Sequence, residues 1–147
     1  MLGDRNLAVR TLVIPNASLA TTGDILTVPP IAVAENKLIE APTYAVVGIG
    51  IVATAAISDA VLTVQEIKAD GTVGASASVT VNVTSANVGI PIALPLPSIV
   101  QCDKGSGFRV RVTTAGGTGA AAHVAVHYVT SEEDLPLEVM TVTPQTL

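Results

Sequence analysis

The sequence has 147 residues and a formal net charge of −5, so it lacks the positive charge typical of nucleic-acid-binding proteins. It has three aromatic rings and no tryptophan, and is therefore poor in the aromatic side chains used for base or sugar stacking. Only 13% of its residues are charged, against about 25% in ordinary globular domains, while 49% are apolar. A small domain exposes much of its surface, so this composition predicts that other copies of the chain or a partner cover part of it.

The length fits one domain over residues 1–147, with an N-terminal arm at 1–6 and a C-terminal tail at 131–147. Cys102 is the only cysteine and cannot form an internal disulfide, which fits assembly in a reducing cytoplasm. We interpret it as a small apolar residue at a strand end. The start, "MLGDRNLAVR", has no apolar segment typical of a secretory signal.

Short runs rich in valine, isoleucine and threonine, separated by turn residues, predict strands. The first is "LAVRTLVI" at 7–14, which Pro15-Asn16 is expected to close. The second, at 24–34, contains Pro29-Pro30, and a central strand does not tolerate such a pair, so we expect a kink or a sheet edge there. A third run covers 37–56.

The next run starts at Ala60 and reaches Asp70-Gly71, a pair typical of a β-hairpin turn. In the alternating "ASVTVNVTS" at 77–85, the valines lie on one face and the polar residues on the other, as in a half-buried strand. The run "VGIPIALPLPSIV" at 88–100 contains three prolines, which favour an edge strand or an extended crossover.

The segment 107–130 has the pattern of two strands that form a hairpin around the glycine-rich loop at 116–119. Alternation places Phe108 inward and Arg109 and Arg111 outward, where solvated or ion-paired side chains are expected. On the second strand it separates His123 and His127 from the apolar face that carries Tyr128. We therefore expect about eight strands in an all-β fold, a single jelly-roll-like β-sandwich.

One segment permits three interpretations. Gly48-x-Gly50-x-x-Ala53 follows an apolar run, as in a dinucleotide-binding turn, and Glu66 lies further along. That motif needs a helix directly after the glycines, yet the following residues are β-branched and lack helix caps. The uncharged run 41–58 is short for a membrane span and has acidic flanks. We favour a strand that is buried on both faces, in which the glycines permit a bulge or a close backbone approach.

His123 and His127 have the spacing of a helical zinc site, but on a strand four residues span about 13 Å, too far for one metal ion. We expect them at the surface or in an interface that is sensitive to mild acid. The acidic run Glu132, Glu133 and Asp134 lacks the ligand spacing of a calcium loop. No nucleophile elbow or acid–base pair is apparent, so we expect no enzyme activity, cofactor or metal.

The charge-poor, tryptophan-free, strand-rich pattern over residues 7–130, with a free segment before the first strand, resembles the small β-sandwich decoration, or cement, proteins of tailed bacteriophage capsids. The resemblance implies a homotrimer on the outside of the capsid, where it clamps neighbouring major capsid protein subunits. It also implies a virion location after assembly in the host cytoplasm.

The same resemblance implies that the two chain ends reach neighbouring molecules, and this makes five charged residues candidates for partner binding: Arg5, Arg10, Glu132, Glu133 and Asp134. We expect no direct contact with nucleic acid or with a membrane. A single jelly-roll capsid or tail or fibre protein fits almost as well. Two further alternatives are a β-sandwich module that binds a carbohydrate or a receptor, and a nucleotide-dependent enzyme.

Overall fold

The structure is a computed structural model, and it describes residues 7–31 and 43–131. These residues form strands connected by turns, with one short 3-10 segment at Ser85–Asn87 and no α-helix in the described ranges. The strands are β1 (Leu7–Ser18), β2 (Gly23–Val28), β3 (Thr43–Ala53), β4 (Ile57–Ile67), β5 (Val73–Val83), β6 (Pro91–Gln101), β7 (Gly107–Thr114) and β8 (Ala121–Ser131). The parts of the predicted second and third runs that fall in 32–42 lie outside the described residues.

The strands pair antiparallel in nested order, with β1 on β8, β2 on β7, β3 on β6 and β4 on β5. The chain thus follows the path of one long hairpin that is rolled into two layers. Sheet 1 has the order β1-β8-β3-β6 and sheet 2 the order β2-β7-β4-β5. This is an eight-strand jelly roll, and it confirms the predicted β-sandwich.

Alternating residues of both sheets meet in one core, as the period of two in their sequences predicts. Val81 and Val83 are buried, while Thr80 and Asn82 on the same strand are exposed. The rings of Phe108, Tyr44 and Tyr128 pack together, with centroids 5.6 to 5.8 Å apart. All three aromatic side chains of the chain are therefore in this cluster.

The predicted hairpin between β7 and β8 is wrong. β7 pairs with β2 and β4 in sheet 2, whereas β8 pairs with β1 and β3 in sheet 1. The glycine-rich loop between them crosses from one sheet to the other, and Gly116 is held there by the bond from its N–H to the Leu19 carbonyl, 2.7 Å. Two strands on opposite sides of a core show the same alternation as two paired strands, so the pattern could not separate these cases.

The first strand also differs from its prediction, because Pro15-Asn16 does not end β1. The strand continues to Ser18 through a bulge, at which the register with β8 shifts between Ile14 and Ala17. Asn16 occupies the left-handed region with φ 51°, a conformation that asparagine tolerates better than most residues.

The turn and edge predictions are confirmed. Asp70-Gly71 connects β4 and β5, Gly71 has φ 90°, and the Asp70 carboxylate accepts bonds from the Thr72 N–H and hydroxyl at 2.9 and 2.6 Å. Pro29-Pro30 follows the end of β2, which is an edge strand of sheet 2. The prolines of the 88–100 run lie in β6, which is an edge strand of sheet 1. A missing N–H is tolerated at such an edge.

Candidate functional site

The residues proposed as partner contacts are mostly outside the described part of the chain. Arg5, Glu132, Glu133 and Asp134 lie outside residues 7–31 and 43–131, whereas Arg10 lies in β1 opposite Tyr128 and its side chain is exposed. Of these five residues, only Arg10 falls within the described part of the chain. The largest surfaces that the described residues form are the two outer faces of the sandwich.

The outer face of sheet 2 is polar and its polar groups bond to one another. The Thr63 hydroxyl bonds with the hydroxyls of Ser78 at 2.8 Å and Thr113 at 2.9 Å. Arg109 donates from Nε to the Gln65 Oε1 at 2.8 Å. These hydrogen bonds connect β4 to β5 and β7, and they give sheet 2 a hydrophilic outer face.

The arginines of this face are ion-paired, as expected. Arg111 Nε lies 3.4 Å from the Asp24 carboxylate and Arg109 Nη1 lies 4.0 Å from it. All three side chains are partly exposed, so the pairs contribute only a few tenths of a kcal/mol to about 1 kcal/mol of stability. One carboxylate lies against two guanidinium groups, so this cluster keeps a net charge of only +1 and β7 carries no extended basic patch.

The outer face of sheet 1 has the opposite character. Across β1, β8, β3 and β6 only Arg10 carries a formal charge, and its position alternates with the outward residues Val9 and Thr11. The outward residues that share a cross-strand register are Val9, Val129, Ala45 and Gln101, then Thr11, His127, Gly48 and Pro95, then Val13, Ala125, Gly50 and Ala93, then His123, Val52 and Pro91. Ile99, 59% exposed, lies in the part of β6 where the register with β3 shifts. This face consists of small, apolar and uncharged polar side chains.

An open groove of about 500 Å³ lies in this face. Gly50 is at its floor between Ala93 and Ala125, and Val52 and Pro91 form part of its wall. The groove exists because the central strand carries glycine and its two neighbours carry alanine where larger outward side chains would fill the space.

The second glycine of the Gly48-x-Gly50 motif therefore has a structural consequence that the sequence did not indicate, since Gly50 lines the groove. Both glycines lie inside β3, and the strand β4 follows where a dinucleotide-binding turn requires a helix. A bulge shifts the register between Val46 and Gly48, as predicted. The expected burial of both faces is wrong, because Gly48, Gly50 and Val52 are partly exposed on the outer face.

The close backbone approach is wrong as well. A Cβ on Gly48 would meet nothing within 4 Å, and one on Gly50 would lie 3.6 Å from His127 Nε2, an ordinary contact. Neither position has the positive φ that demands glycine. The fold thus leaves room for a side chain at both positions.

His123 and His127 lie on the same outer face and tie β1 to β8. His123 Nδ1 accepts the Asn16 backbone N–H at the bulge, at 2.9 Å. His127 Nδ1 lies 2.9 Å from the Thr11 hydroxyl. Within residues 7–31 and 43–131 no three His, Cys, Asp or Glu side chains form a group that could hold a metal ion.

Two buried side chains, Glu66 and Cys102, could in principle act as a base or a nucleophile, and both lie at one end of the sandwich. Burial raises the pKa of the Cys102 thiol to about 12, helped by the negative charges of Glu66 and Asp103. The thiol therefore stays protonated at neutral pH and is a poor nucleophile. Its position directly after β6 agrees with the expected apolar residue at a strand end.

Glu66 is a structural anchor that sequence reasoning missed. Its carboxylate accepts the N–H groups of Asp103 at 2.7 Å and Ala75 at 3.1 Å, together with the Ser106 hydroxyl. Burial alone would raise the pKa of Glu66, but these bonds and the Lys68 charge outweigh burial and lower it. Leu62, Val64 and Glu66 alternate along β4, so the period of two already placed this carboxylate on the inner face.

No helix in the described ranges is long and apolar enough to cross a membrane. No protein-family model matches the chain, and no curated protein matches its sequence. Among solved structures, the chain is similar to the VP2 subviral particle of infectious bursal disease virus, with TM-score 0.49 and 14% identity over 86% of this chain and 37% of that one.

It is also similar to the structure of the Gx strain of the same virus, with TM-score 0.47 and 12% identity over 86% of this chain and 32% of that one. The chain thus spans about a third of the length of both viral proteins.

Proposed function

We propose that this chain is a structural protein of a virus particle, a capsid decoration protein that binds the outside of the capsid as a homotrimer and stabilises contacts between major capsid protein subunits. The observation that carries the proposal is the contrast between the two outer faces of the jelly roll. Sheet 2 presents bonded polar groups to water, while sheet 1 presents a wide uncharged face with two exposed valines. A face of this kind is typical of a surface that another molecule covers.

The fold supports the same proposal in a general way, because eight-strand jelly rolls recur in viral capsids and in lectins. The aromatic side chains help to choose between these two. Sugar-binding sites use exposed rings as stacking platforms, yet Phe108, Tyr44 and Tyr128 pack against one another between the sheets. A mechanical role in a shell therefore suits the chain better than a carbohydrate-binding role.

The chemistry of the buried groups favours a structural role over catalysis. The Glu66 carboxylate is occupied by hydrogen bonds from the backbone, and the Cys102 thiol is protonated at neutral pH. Neither group has the free, activated form that a general base or a nucleophile needs.

Immunogold labelling tests this function at the level of the particle. Antibodies raised against the purified chain are applied to intact particles, banded by density, from a virus-producing culture of the source. We expect gold on the outside of the particles and none on particles of an unrelated phage. Labelling confined to the particle-free fraction would contradict the proposal. Labelling only after particles are broken would instead place the chain inside the shell.

A further inference from the structure

We propose that the outer face of sheet 1 is the surface through which copies of this chain contact each other, with the β1 valines of one copy packed on the Gly50 groove of the next. The inference rests on the proposed function, since it names the contact that holds the homo-oligomer together. It is argued from four properties of this face: unused space, protruding side chains, charge and area.

The first property is space that the fold does not require. Glycine within a strand is less favourable than alanine by about 0.5–1 kcal/mol, and a Cβ at Gly48 or Gly50 would meet no obstacle inside the subunit. Of the two, Gly50 lines the groove, and its lack of a side chain keeps the groove open. The apolar side chains that line an open groove gain dispersion contacts only when another molecule packs against them.

The second property is a pair of protruding side chains on the same face. Val9 and Val13 lie on edge strand β1 and are 70% and 61% exposed. The groove lies mainly in the half of the face formed by β3 and β6, with Val13 at its rim. The β1 half of the face can therefore pack on the β3–β6 half of the next copy, and such a head-to-tail contact forms a ring where the rotation between copies closes.

The third property is charge. Each copy has a net charge of −5, and a contact between copies avoids burying unpaired charge where formal charges are absent from the facing surfaces. The outward positions of sheet 1 meet this condition among the described residues, whereas sheet 2 displays Asp24, Arg109 and Arg111. His123 and His127 lie on the same face and add polar groups to it.

The fourth property is area. Four strands about 4.8 Å apart and about eight residues long, at about 3.3 Å per residue, form a face of roughly 500 Å². In a ring each copy divides this face between two neighbours, so three copies bury roughly 1,500 Å² over three contacts, the total size of one standard interface. Neighbouring copies of the chain are therefore sufficient occupants for the face.

The test compares three single charge substitutions by sedimentation velocity over a concentration series, with the unfolding transition of each variant recorded alongside. Val13→Glu and Ala93→Glu place a carboxylate on opposite sides of the groove, and both side chains are exposed in the subunit. Val73→Glu is the matched control, because Val73 is 45% exposed on β5, an edge strand of sheet 2.

We expect the wild-type chain and Val73→Glu to sediment as the same oligomer. Val13→Glu and Ala93→Glu should be folded monomers, with the concentration of half-assembly raised more than about tenfold, because an unpaired carboxylate would be buried between copies. If Val13→Glu fails to fold, Ala93→Glu decides the question, and Gly50→Leu provides an uncharged block of the same groove.

Three results would overturn the inference. If both groove variants assemble like the wild type, the copies meet elsewhere and the proposed homo-oligomer stands. If the wild type is a monomer at every concentration, the face serves a different partner, such as a capsid subunit or the chain's own C-terminal segment. Particle labelling would then still decide the proposed function separately. Equal dissociation of Val73→Glu would show a general charge effect and would equally count against the assigned face.

Discussion

Single residues hold the ends of this sandwich in place, and Glu66 is the clearest case. Its carboxylate joins the turn after β6, through Asp103 and Ser106, to the start of β5, through Ala75. Gly74 makes room for it, since a Cβ there would collide with the carboxylate. A buried carboxylate with several hydrogen-bond donors is stable in the charged form, and this explains its lowered pKa.

Replacing Glu66 by glutamine should lower the free energy of unfolding by about 1–3 kcal/mol at pH 7, because one of its backbone donors would face an amide NH₂. The measurement is urea unfolding of wild type and variant. Asp59→Asn, in the exposed β4 bulge at φ 55°, is the matched control and should change little. A Glu66→Gln variant as stable as the wild type would contradict the anchoring role.

The pH dependence of that difference follows from the direction of the pKa shift. Because the pKa of Glu66 is lowered from its ordinary value of 4.5 in the folded chain, its contribution is full above that value and is lost as pH falls through the lowered pKa. Glutamine does not titrate, so the gap between wild type and Glu66→Gln should narrow in acid. A gap that stays constant down to pH 3 would contradict this.

Phe108 is the largest fully buried side chain of the core, as its inward position in the alternating pattern predicts. Phe108→Ala should cost about 3–5 kcal/mol of stability, from lost burial and the cavity left between Tyr44 and Tyr128. Chemical denaturation measures the loss, and Phe108→Leu should lose less. A loss under about 1 kcal/mol for the alanine variant would show that the ring is not a core residue.

At the scale of strands, the sequence predicts where strands form better than it predicts which strands pair with each other. The eight strands, the Asp70-Gly71 hairpin and the proline-containing edge follow from local chemistry: β-branched alternation, a turn pair and missing N–H donors. The partners of β7 and β8 depend on contacts between residues far apart in the chain. For the same reason the uncharged face was not predicted, because its residues come from four separate strands.

Some of that face was nevertheless within reach of the sequence. The strands that form sheet 1 contain one formal charge, Arg10, while those of sheet 2 contain five, and this contrast is visible once the strands are sorted by sheet. The Gly48-x-Gly50 pair by itself indicates a bulge or a close backbone approach. Only the three-dimensional structure shows that the second glycine forms the floor of a groove.

The strand β3 therefore yields a prediction that separates folding from assembly. Gly50→Ala should leave the free energy of unfolding of the diluted chain unchanged or raise it by up to about 1 kcal/mol, since alanine is favoured over glycine in a strand and has room here. Gly107→Ala is the control, because a Cβ there would collide with Val28 and Pro29 and should cost about 1–3 kcal/mol. Thermal unfolding of both variants measures this, and a marked loss for Gly50→Ala would show that the fold itself requires the glycine.

At the scale of the whole molecule, the described residues form a jelly roll with one water-facing sheet and one uncharged sheet, and the proposed assembly requires both surfaces. The charge-poor composition over all 147 residues agrees with this proposal. Several weak contacts made by a ring of copies would together give firm attachment to a capsid lattice.

The most direct test of this account is the solution mass of the unmodified chain, measured by light scattering across a dilution series. We predict a stable species at three times the 14.8 kDa of one chain, which dissociates only at the lowest concentrations. A monomer that persists at every concentration would contradict the account, because the uncharged sheet would then remain exposed without a second copy to cover it.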